Sequence, residues 1–451
     1  MPGSPGVVLE LADIQSGLLR PRPTPYAATY IAFRIDDPSA GRELMRRLSG
    51  VVASAAHPVS PAGDTWVSVA VTFEGLRVLG VPQPSLDSFA WELRQGMAAR
   101  AHVLGDTGES SPEHWERPLG TSDIHVVITA VAPDSERLES AVARARKTYD
   151  SLSGIEAIWR QDCHALPTER EPFGYRDGIS HPAIEGSGIS GSNPSEPPLK
   201  AGELVLGYPD ELDPRPPIPQ PDVLGRNGSY VVFRKLHQRV AAFRQYLRAH
   251  AKDPAEEELI AAKMMGRWRS GAPLARCPLH DDPELGADRT RNNDFGYAGD
   301  PIGYETPPGS HARRSNPRDA SVAGVVRLHR FIRRGTAYGP ELPEGVLEDD
   351  GADRGLMFAF VGTQIGRQFE FVQSEWVNGG AFLGLGDVKD PISGAHDAGS
   401  FSIPKRPIPK RLHGLSRFVV TRGGEYCFMP GLRALRWLAE PHTYGSSTPS
   451  A

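Results

Sequence analysis

One candidate for proton-transfer chemistry lies in a glycine-flanked segment near the middle of the chain. Residues 173–180 read Phe-Gly-Tyr-Arg-Asp-Gly-Ile-Ser, which places Asp177 beside one glycine and close to another. Glycine permits positive φ and lets the backbone approach a ligand closely. A carboxylate in such a turn can cap the turn, or it can accept and return a proton as a general acid–base. The segment alone leaves both roles open.

A histidine followed by a cluster of cations lies further along the chain. Residues 309–319 read Gly-Ser-His-Ala-Arg-Arg-Ser-Asn-Pro-Arg-Asp and contain His311. Pro317 limits any helix there to about one turn. A lone histidine is more often structural or exposed than a ligand. The arginines change that balance if the ligand carries carboxylates, because guanidinium groups pair well with them.

A third segment carries a pair of arginines between an apolar residue and a glycine. Residues 331–340 read Phe-Ile-Arg-Arg-Gly-Thr-Ala-Tyr-Gly-Pro, with the pair at Arg333 and Arg334. One member of such a pair usually faces water, so the segment by itself predicts little. A cation held close to a reacting group could stabilise negative charge as that charge develops.

The hydrophobic pattern predicts the elements that must position these residues. Alternation predicts half-buried strands at 30–35 and 66–73, and a more continuously apolar strand at 124–131 precedes a helix over 136–152. The order recurs with a strand at 230–233, a helical stripe from 240 to 247, a strand at 356–361, a helix spanning 365–376, a strand at 417–421 and a closing helix at 432–438. Two rounds of strand–helix–strand–strand–helix–strand predict an α+β fold of two ferredoxin-like halves with largely antiparallel sheets.

Composition along the chain suggests where the halves begin and end. We predict an N-terminal half over 1–165, a connecting segment over 166–225, a C-terminal half over 226–445 and a disordered tail over 446–451. The connection is dense in Pro, Gly and Ser, which disfavours regular elements. A second irregular stretch is predicted over 271–308. Long loops are uncommon unless they are functional, so both stretches are candidates to enclose a ligand.

Charge and cysteine content exclude several classes of function. The net charge is −5 and the pI about 6.3, which gives no electrostatic reason to expect nucleic acid or an anionic membrane as partner. Three widely spaced cysteines form no disulfide framework and no CxxC motif. The N-terminus has no basic region typical of a secretion signal, and no apolar run is long enough to span a membrane. We therefore expect a cytoplasmic protein; the sequence does not decide between a monomer and a homo-oligomer.

The sequence gives little support for a dinucleotide site or for covalently attached haem. Residues 186–191 match the dinucleotide pattern GxGxxG, but they lie in a Ser- and Pro-rich stretch without a flanking strand and helix. The chain has no CxxCH motif, so any haem would be bound without thioether links.

Taken together, in order and spacing, the three chemical segments resemble the dye-decolourising peroxidase family. Residues 173–180 resemble the family's GxxDG motif, 309–319 its proximal-histidine segment ending in NPR, and 331–340 its distal-arginine segment ending in YG. The resemblance extends over most of the chain through residues 13–17, 96–101, 289–295 and 424–431, of which 289–295 resemble the larger bacterial members. The GxxDG motif alone is unspecific, whereas the ordered set is specific.

The resemblance implies a fold, a cofactor and the roles of particular residues. It implies two ferredoxin-like halves, with one non-covalent haem b per chain in the second half. His311 matches the proximal iron ligand, Asp177 the distal acid–base and Arg333 the distal cation. Arg333 is preferred to Arg334 because it lies six residues before the final glycine of its motif, Gly339.

Further haem contacts are implied by position. Asn316 and Arg318 are expected to contact the cofactor, and Leu356 and Phe358 are expected to line its distal side. A carboxylate should accept a hydrogen bond from the second ring nitrogen of the proximal histidine. The sequence offers two acids for that role, residues 387 and 390, and does not choose between them.

The expected activity is reduction of hydrogen peroxide coupled to oxidation of dyes, phenols or similar bulky one-electron donors. Two alternatives stay open from the sequence. One is a haem-handling protein that removes iron from haem or stores the cofactor. The other is a haem-free α+β binding module in which Asp177 and His311 are structural.

Overall fold

The computed structural model describes residues 7–57, 64–321, 324–381 and 384–442, and the predicted disordered tail lies outside these ranges. Its strands are β1 Ala27–Ile35, β2 Trp66–Val71, β3 Val126–Ala132, β4 Ile155–His164, β5 Ser229–Gln238, β6 Ile332–Arg333, β7 Thr336–Tyr338, β8 Gly355–Gly362, β9 Gly399–Ile403, β10 Lys410–Leu415 and β11 Val419–Met429.

The α-helices are α1 Ser16–Leu19, α2 Pro38–Leu48, α3 Phe73–Val78, α4 Gln83–Asp87, α5 Trp91–Gln95, α6 Ala101–Leu104, α7 Ser135–Tyr149, α8 Asp222–Gly225, α9 Val240–His250, α10 Pro254–Met265, α11 Pro283–Ala287, α12 His311–Ser315 and α13 Leu432–Leu438. Short 3₁₀ turns cover Ala98–Arg100, Gly108–Ser110, Pro112–His114, Ala201–Glu203 and Val326–His329. Two π-helical segments cover Ile365–Glu370 and Val372–Val377.

Two four-stranded units join edge to edge in one sheet. The strand order is β4-β1-β3-β2-β11-β5-β8-β6, with β7 also paired to β8, and every described pairing is antiparallel. In each unit the fourth strand lies beside the first and the third lies between the first and second, which is the ferredoxin-like order. The units meet where β2 pairs with β11 at Val71 and Phe428. The predicted α+β fold of two ferredoxin-like halves is confirmed.

Both faces of the first unit are covered, so the prediction of half-buried strands at 30–35 and 66–73 was wrong. Nearly all of β1 and all of β2 are buried. Helices α2 and α7 pack on one face, while the N-terminal segment and the Pro-rich connection cover the other through Leu18, Ile184 and Val205. A sequence pattern cannot reveal burial by a distant irregular segment, because that segment has no periodicity of its own.

Two local predictions also change, and two elements were not predicted. Phe73, predicted at the end of a strand, begins α3, because the Thr72 side chain accepts a hydrogen bond from the Gly75 amide and caps the helix. The helix expected over 365–376 forms as the two π-helical segments, whose wider turns lie against the cavity described below. The sequence analysis did not anticipate α10 or the β9–β10 hairpin.

Helix α10 has strong signals at both ends. Asp253 caps it by accepting a hydrogen bond from the Glu256 amide, and Pro254 occupies its first position. Gly266 ends it with φ of 93°, a left-handed conformation that favours glycine. The chain leaves this turn directly into Arg267, which lines the cavity. In the described ranges, no helix combines the length and apolar character that crossing a bilayer requires.

Candidate active site

A cavity of about 300 Å³ lies against the sheet of the second half, between β5, β8 and β11 and the segments that pack on them. Its size is within the range of small-molecule and cofactor sites. The residues predicted from the sequence all line it: Asp177, His311, Asn316, Arg318, Arg333, Leu356 and Phe358. The first half contributes a smaller part of the wall, through Gly105, Asp106 and Ser110.

His311 begins the short helix α12, and one of its ring nitrogens has a fixed partner. Nδ1 lies 2.8 Å from Oδ2 of Asp390, a carboxylate with no solvent exposure. The amides of Ile392 and Ser393 donate to the other oxygen, Oδ1, of that carboxylate. Burial acts to raise the pKa of Asp390, but His311, the Ser393 amide and Arg314 outweigh it and lower the pKa to about 2. The ring is thereby oriented, and Nε2 is left for a ligand.

Burial and hydrogen bonding show which of the two candidate acids, Asp387 or Asp390, supports the ring of His311. Asp387 is exposed, whereas Asp390 is buried and hydrogen-bonded to the ring. The helix that carries His311 is a single turn, as Pro317 predicted. The position of this helix is fixed by Arg314, which is buried and donates to the backbone carbonyls of Gly309, Trp376, Gly379 and Val388.

Asp177 lies between two guanidinium groups. Its Oδ1 is 4.0 Å from Nη1 of Arg333, and its Oδ2 is 4.0 Å from Nη2 of Arg22. Burial acts to raise the pKa of Asp177, but Arg333, Arg22 and the Gly178 amide together lower it below its ordinary value. The carboxylate is therefore held in its charged form.

The two arginines of the predicted pair have different surroundings. Arg333 lines the cavity, and its side chain is 40% exposed. Arg334, the next residue, donates to the backbone oxygen of Leu19, and burial with Arg22 nearby lowers its pKa to about 9. The alternation of side chains along a strand explains the difference, because neighbouring residues point to opposite faces.

A cluster of cations lines another part of the cavity, with Arg330 buried and Arg267 and Arg318 half-buried. Arg318 stacks on Phe295 at 3.8 Å, and both Arg318 and Arg267 donate to Oδ1 of Asn293. Burial, and then its neighbour Arg318, lowers the pKa of Arg267 to about 9. Burial also lowers the pKa of Arg330 to about 10, against the effect of its partner Glu196. Such a concentration of positive charge favours a bound anion.

The apolar wall comes mainly from β8. Leu356 and Phe358 line the cavity, while Met357 and Ala359, which alternate with them along the strand, pack in the core on the opposite face of the sheet. Asn316 follows α12, lines the same cavity and accepts a hydrogen bond from the Arg318 amide at 3.3 Å. The wall therefore combines an apolar surface, a carboxylate flanked by cations, and an oriented histidine.

These residues fit a haem. The oriented ring of His311 provides a nitrogen ligand for iron, the apolar strand provides a flat surface for a porphyrin, and the clustered arginines suit the carboxylates of its propionates. Residues that the sequence analysis missed are Arg22, Arg267 and Arg330. Each is one arginine among many. Only the folded chain brings Arg267 and Arg330 to the cavity and Arg22 to Asp177, so no local signal could have singled them out.

Comparison with known proteins gives the family. No protein-family model matches the chain. "Dye-decolorizing peroxidase" of Mycena epipterygia is 33% identical over 417 residues, covering 83% of this chain and 76% of that protein. "Multifunctional dye peroxidase DyP2" of an Amycolatopsis strain is 28% identical over 446 residues, covering 91% and 92%. The solved structure of a dye-decolorizing peroxidase in complex with 2,6-dimethoxyphenol superposes with a TM-score of 0.83 at 26% identity, covering 96% of this chain and 100% of that one.

The fold and the site together define a haem-dependent enzyme of the peroxidase class. The chain belongs to the dye-decolourising peroxidase family, as the ordered motifs of the sequence predicted.

Proposed function

We propose that this protein reduces hydrogen peroxide and oxidises dyes, phenols or similar bulky one-electron donors, using one non-covalently bound haem b per chain. The observation that carries the proposal is the single cavity that joins an oriented histidine, a cation-flanked carboxylate and a cluster of arginines. His311 would bind the iron through Nε2. Asn316, Arg318, Leu356 and Phe358 would contact the porphyrin and its propionates.

Asp177 is proposed as the acid–base. The bound haem supplies the electrons that break the O–O bond and recovers them one at a time from the organic donor. Hydrogen peroxide must lose a proton from one oxygen, and the other oxygen must gain a proton to leave as water. A carboxylate held ionised by Arg333 and Arg22 can accept the first proton on an Oδ atom and return it to the leaving oxygen.

Arg333 is proposed to stabilise negative charge on the peroxide oxygens. Among the described residues, its guanidinium donates no hydrogen bond to a side chain or a backbone oxygen, and its nearest acid is Asp177 at 4.0 Å. The side chain can therefore turn toward a substrate without breaking another contact. A cationic donor that reaches the peroxide oxygens lowers the energy of a transition state in which negative charge develops there.

The organic donor follows from the relatives and from the shape of the site. The dye peroxidases among the relatives are named for dyes, and one solved relative holds 2,6-dimethoxyphenol. We propose the same classes of reducing substrate here. We also propose a reducing, cytoplasmic setting, which the three unpaired cysteines support.

Reconstitution tests the proposal against its alternatives. The purified chain would be loaded with haem b and mixed with hydrogen peroxide and 2,6-dimethoxyphenol while the Soret band, free iron and product are followed. We expect a Soret band at one haem per chain and sustained oxidation with the haem retained. Release of iron, or haem retained without oxidation, would identify a haem-handling protein. No Soret band at all would identify a haem-free binding module.

A further inference from the structure

Arg22 lies beside Asp177 but comes from the other half of the molecule. It precedes β1 in the first unit, whereas Asp177 lies in the connecting segment and Arg333 in β6. Its Nη2 atom is 4.0 Å from Oδ2 of Asp177, whereas Arg333 approaches Oδ1 through Nη1, also at 4.0 Å. The two cations therefore address different oxygens of one carboxylate.

The two cations differ in how firmly they are held. The guanidinium of Arg22 stacks over the ring of Tyr26 at 3.9 Å, and its Nη1 donates to the backbone oxygen of Gly335. Its side chain is 16% exposed, against 40% for Arg333. A cation fixed by a ring and a backbone oxygen stays where it is, whereas Arg333 has no such anchor among the described residues.

We propose that Arg22 is a positioning residue for Asp177: an anchored second cation that holds the carboxylate oriented and ionised while Arg333 turns toward the substrate. The inference rests on the proposed role of Asp177 as acid–base. It gives the first half of the molecule a part in the chemistry of the second.

The other groups that face Asp177 cannot replace Arg22. They are His181, Tyr26 and Glu171, in addition to Arg333. Burial, and then Arg334 and Arg333, lower the pKa of His181 to about 3, so this ring is mostly neutral above about pH 4. Burial raises the pKa of both Tyr26 and Glu171, and neither group carries positive charge in any form. When Arg333 is engaged with substrate, Arg22 is the remaining cation beside the carboxylate among the residues that the structure describes.

Removing the charge of Arg22 should raise the pKa of Asp177, because an adjacent cation favours the ionised form. Cyanide binding reports this without turnover: the neutral acid HCN must give up its proton to a nearby base as it binds ferric iron. The association rate would be measured from about pH 3 to 7 in haem-loaded wild type and in Arg22→Gln, Arg22→Lys and Asp177→Asn. Arg94→Gln is the matched control, since it removes one charge at an exposed site.

The acid limb of each profile is the pH range in which cyanide binding slows as Asp177 becomes protonated. We expect the acid limb of Arg22→Gln to lie about one pH unit higher than that of wild type. Arg22→Lys should stay within about half a unit of wild type, since it keeps the charge. Arg94→Gln should be unchanged. An acid limb in Arg22→Gln that coincides with wild type would overturn the inference. If Arg22→Gln does not retain haem, a full-unit shift in Arg22→Lys overturns it instead, because charge would not be the determinant.

Asp177→Asn separates this inference from the function on which it rests. If Asp177→Asn keeps the wild-type acid limb, Asp177 is not the base, and the proposed mechanism fails together with the inference. If Asp177→Asn loses the limb but Arg22→Gln leaves it in place, only the role of Arg22 fails. The double variant Arg22→Gln/Asp177→Asn should have the same pH profile of cyanide binding as Asp177→Asn alone. A further shift of the profile in the double variant would contradict the inference.

Discussion

At the scale of single residues, the demand on Asp177 is twofold, since it must be ionised to take a proton and must then give that proton back. The sequence alone identified Asp177, but it could not show whether burial, which raises its pKa, or neighbouring cations, which lower it, have the larger effect. In the folded chain the cations prevail, and the pKa lies below its ordinary value. Two arginines at 4.0 Å account for the direction, and only one of them was recognisable from a motif.

The lowered pKa of Asp177 predicts activity in acid. A carboxylate with a depressed pKa stays ionised above that pKa and loses its charge only as the pH falls through it. The base is then available at about pH 4–5, where an unperturbed histidine would be protonated. A haem held by His311 would take up protons as it is reduced by the donor, which would also favour acid. We expect dye oxidation to be fastest between about pH 3.5 and 5.5, measured as a steady-state pH profile.

Asp177→Asn is the control for this profile and should react slowly with peroxide across the whole window. A neutral optimum in wild type, or an Asn variant as fast as wild type at each pH, would mean that proton transfer does not run through Asp177.

Replacing Arg333 is predicted to slow the reaction, whereas replacing Arg334 is predicted to affect mainly the stability of the protein. Arg333→Ala should slow the reaction with peroxide by a factor on the order of 10²–10³, because one charge-stabilising donor is lost. Arg334→Ala should slow it far less and should instead lower the melting temperature, since Arg334 donates to the backbone oxygen of Leu19. Stopped-flow rates and thermal unfolding measure the two effects. The opposite order of rates would show that the wrong arginine was assigned.

At the scale of elements, the one-turn helix α12 is too short to hold His311 by its own hydrogen bonds. Arg314 on the same turn donates to Trp376 inside the second π-helical segment, and to Gly379 and Val388 in the loop that follows it and carries Asp390. The histidine and its carboxylate are thus positioned through one buried side chain. Sequence placed both arginines of this helix in a cationic cluster, but only packing distinguishes the one that joins the segments together.

Arg314→Met is predicted to destabilise the protein and loosen the proximal side. The substitution leaves several buried carbonyl oxygens without a donor, which should cost on the order of 3 kcal/mol of unfolding free energy. Haem should also dissociate faster. Thermal unfolding and haem transfer to an acceptor protein measure both effects. Arg276→Met is the exposed control and should change neither; equal behaviour of the two variants would contradict a role for Arg314 in positioning.

The elements that sequence predicted well are those whose own periodicity decides their structure. The closing helix over 432–438 formed with the predicted bounds, and the strand predicted at 356–361 formed with one more residue at each end. Predictions failed where a distant segment decides the outcome. The connecting segment covers one face of the first four-stranded unit. The Thr72 cap places Phe73 at the start of a helix and not at the end of a strand. The π-helical turns have no separate sequence signature, because they carry the spacing of an ordinary helix.

At the scale of the whole molecule, the join between the halves explains how a site in the second half receives a residue from the first. Strands β2 and β11 make one sheet of the two units, and Arg22, just before β1, reaches Asp177 in the connecting segment. The symmetric order of strands was predictable from the repeated pattern of elements. The boundaries at 165 and 225 stay predictions, because a continuous sheet does not by itself mark where one unit ends.

The claim that His311 holds a haem in this cavity has the most direct test in the cofactor itself. His311→Ala and wild type would be purified and loaded with haem b in parallel, with His102→Ala as an exposed histidine control. Haem content and the ferric spectrum would be compared. The account predicts that His311→Ala loses most of its haem or shows a wholly altered ferric spectrum, while His102→Ala matches wild type. Full haem content with an unchanged ferric spectrum in His311→Ala would contradict it.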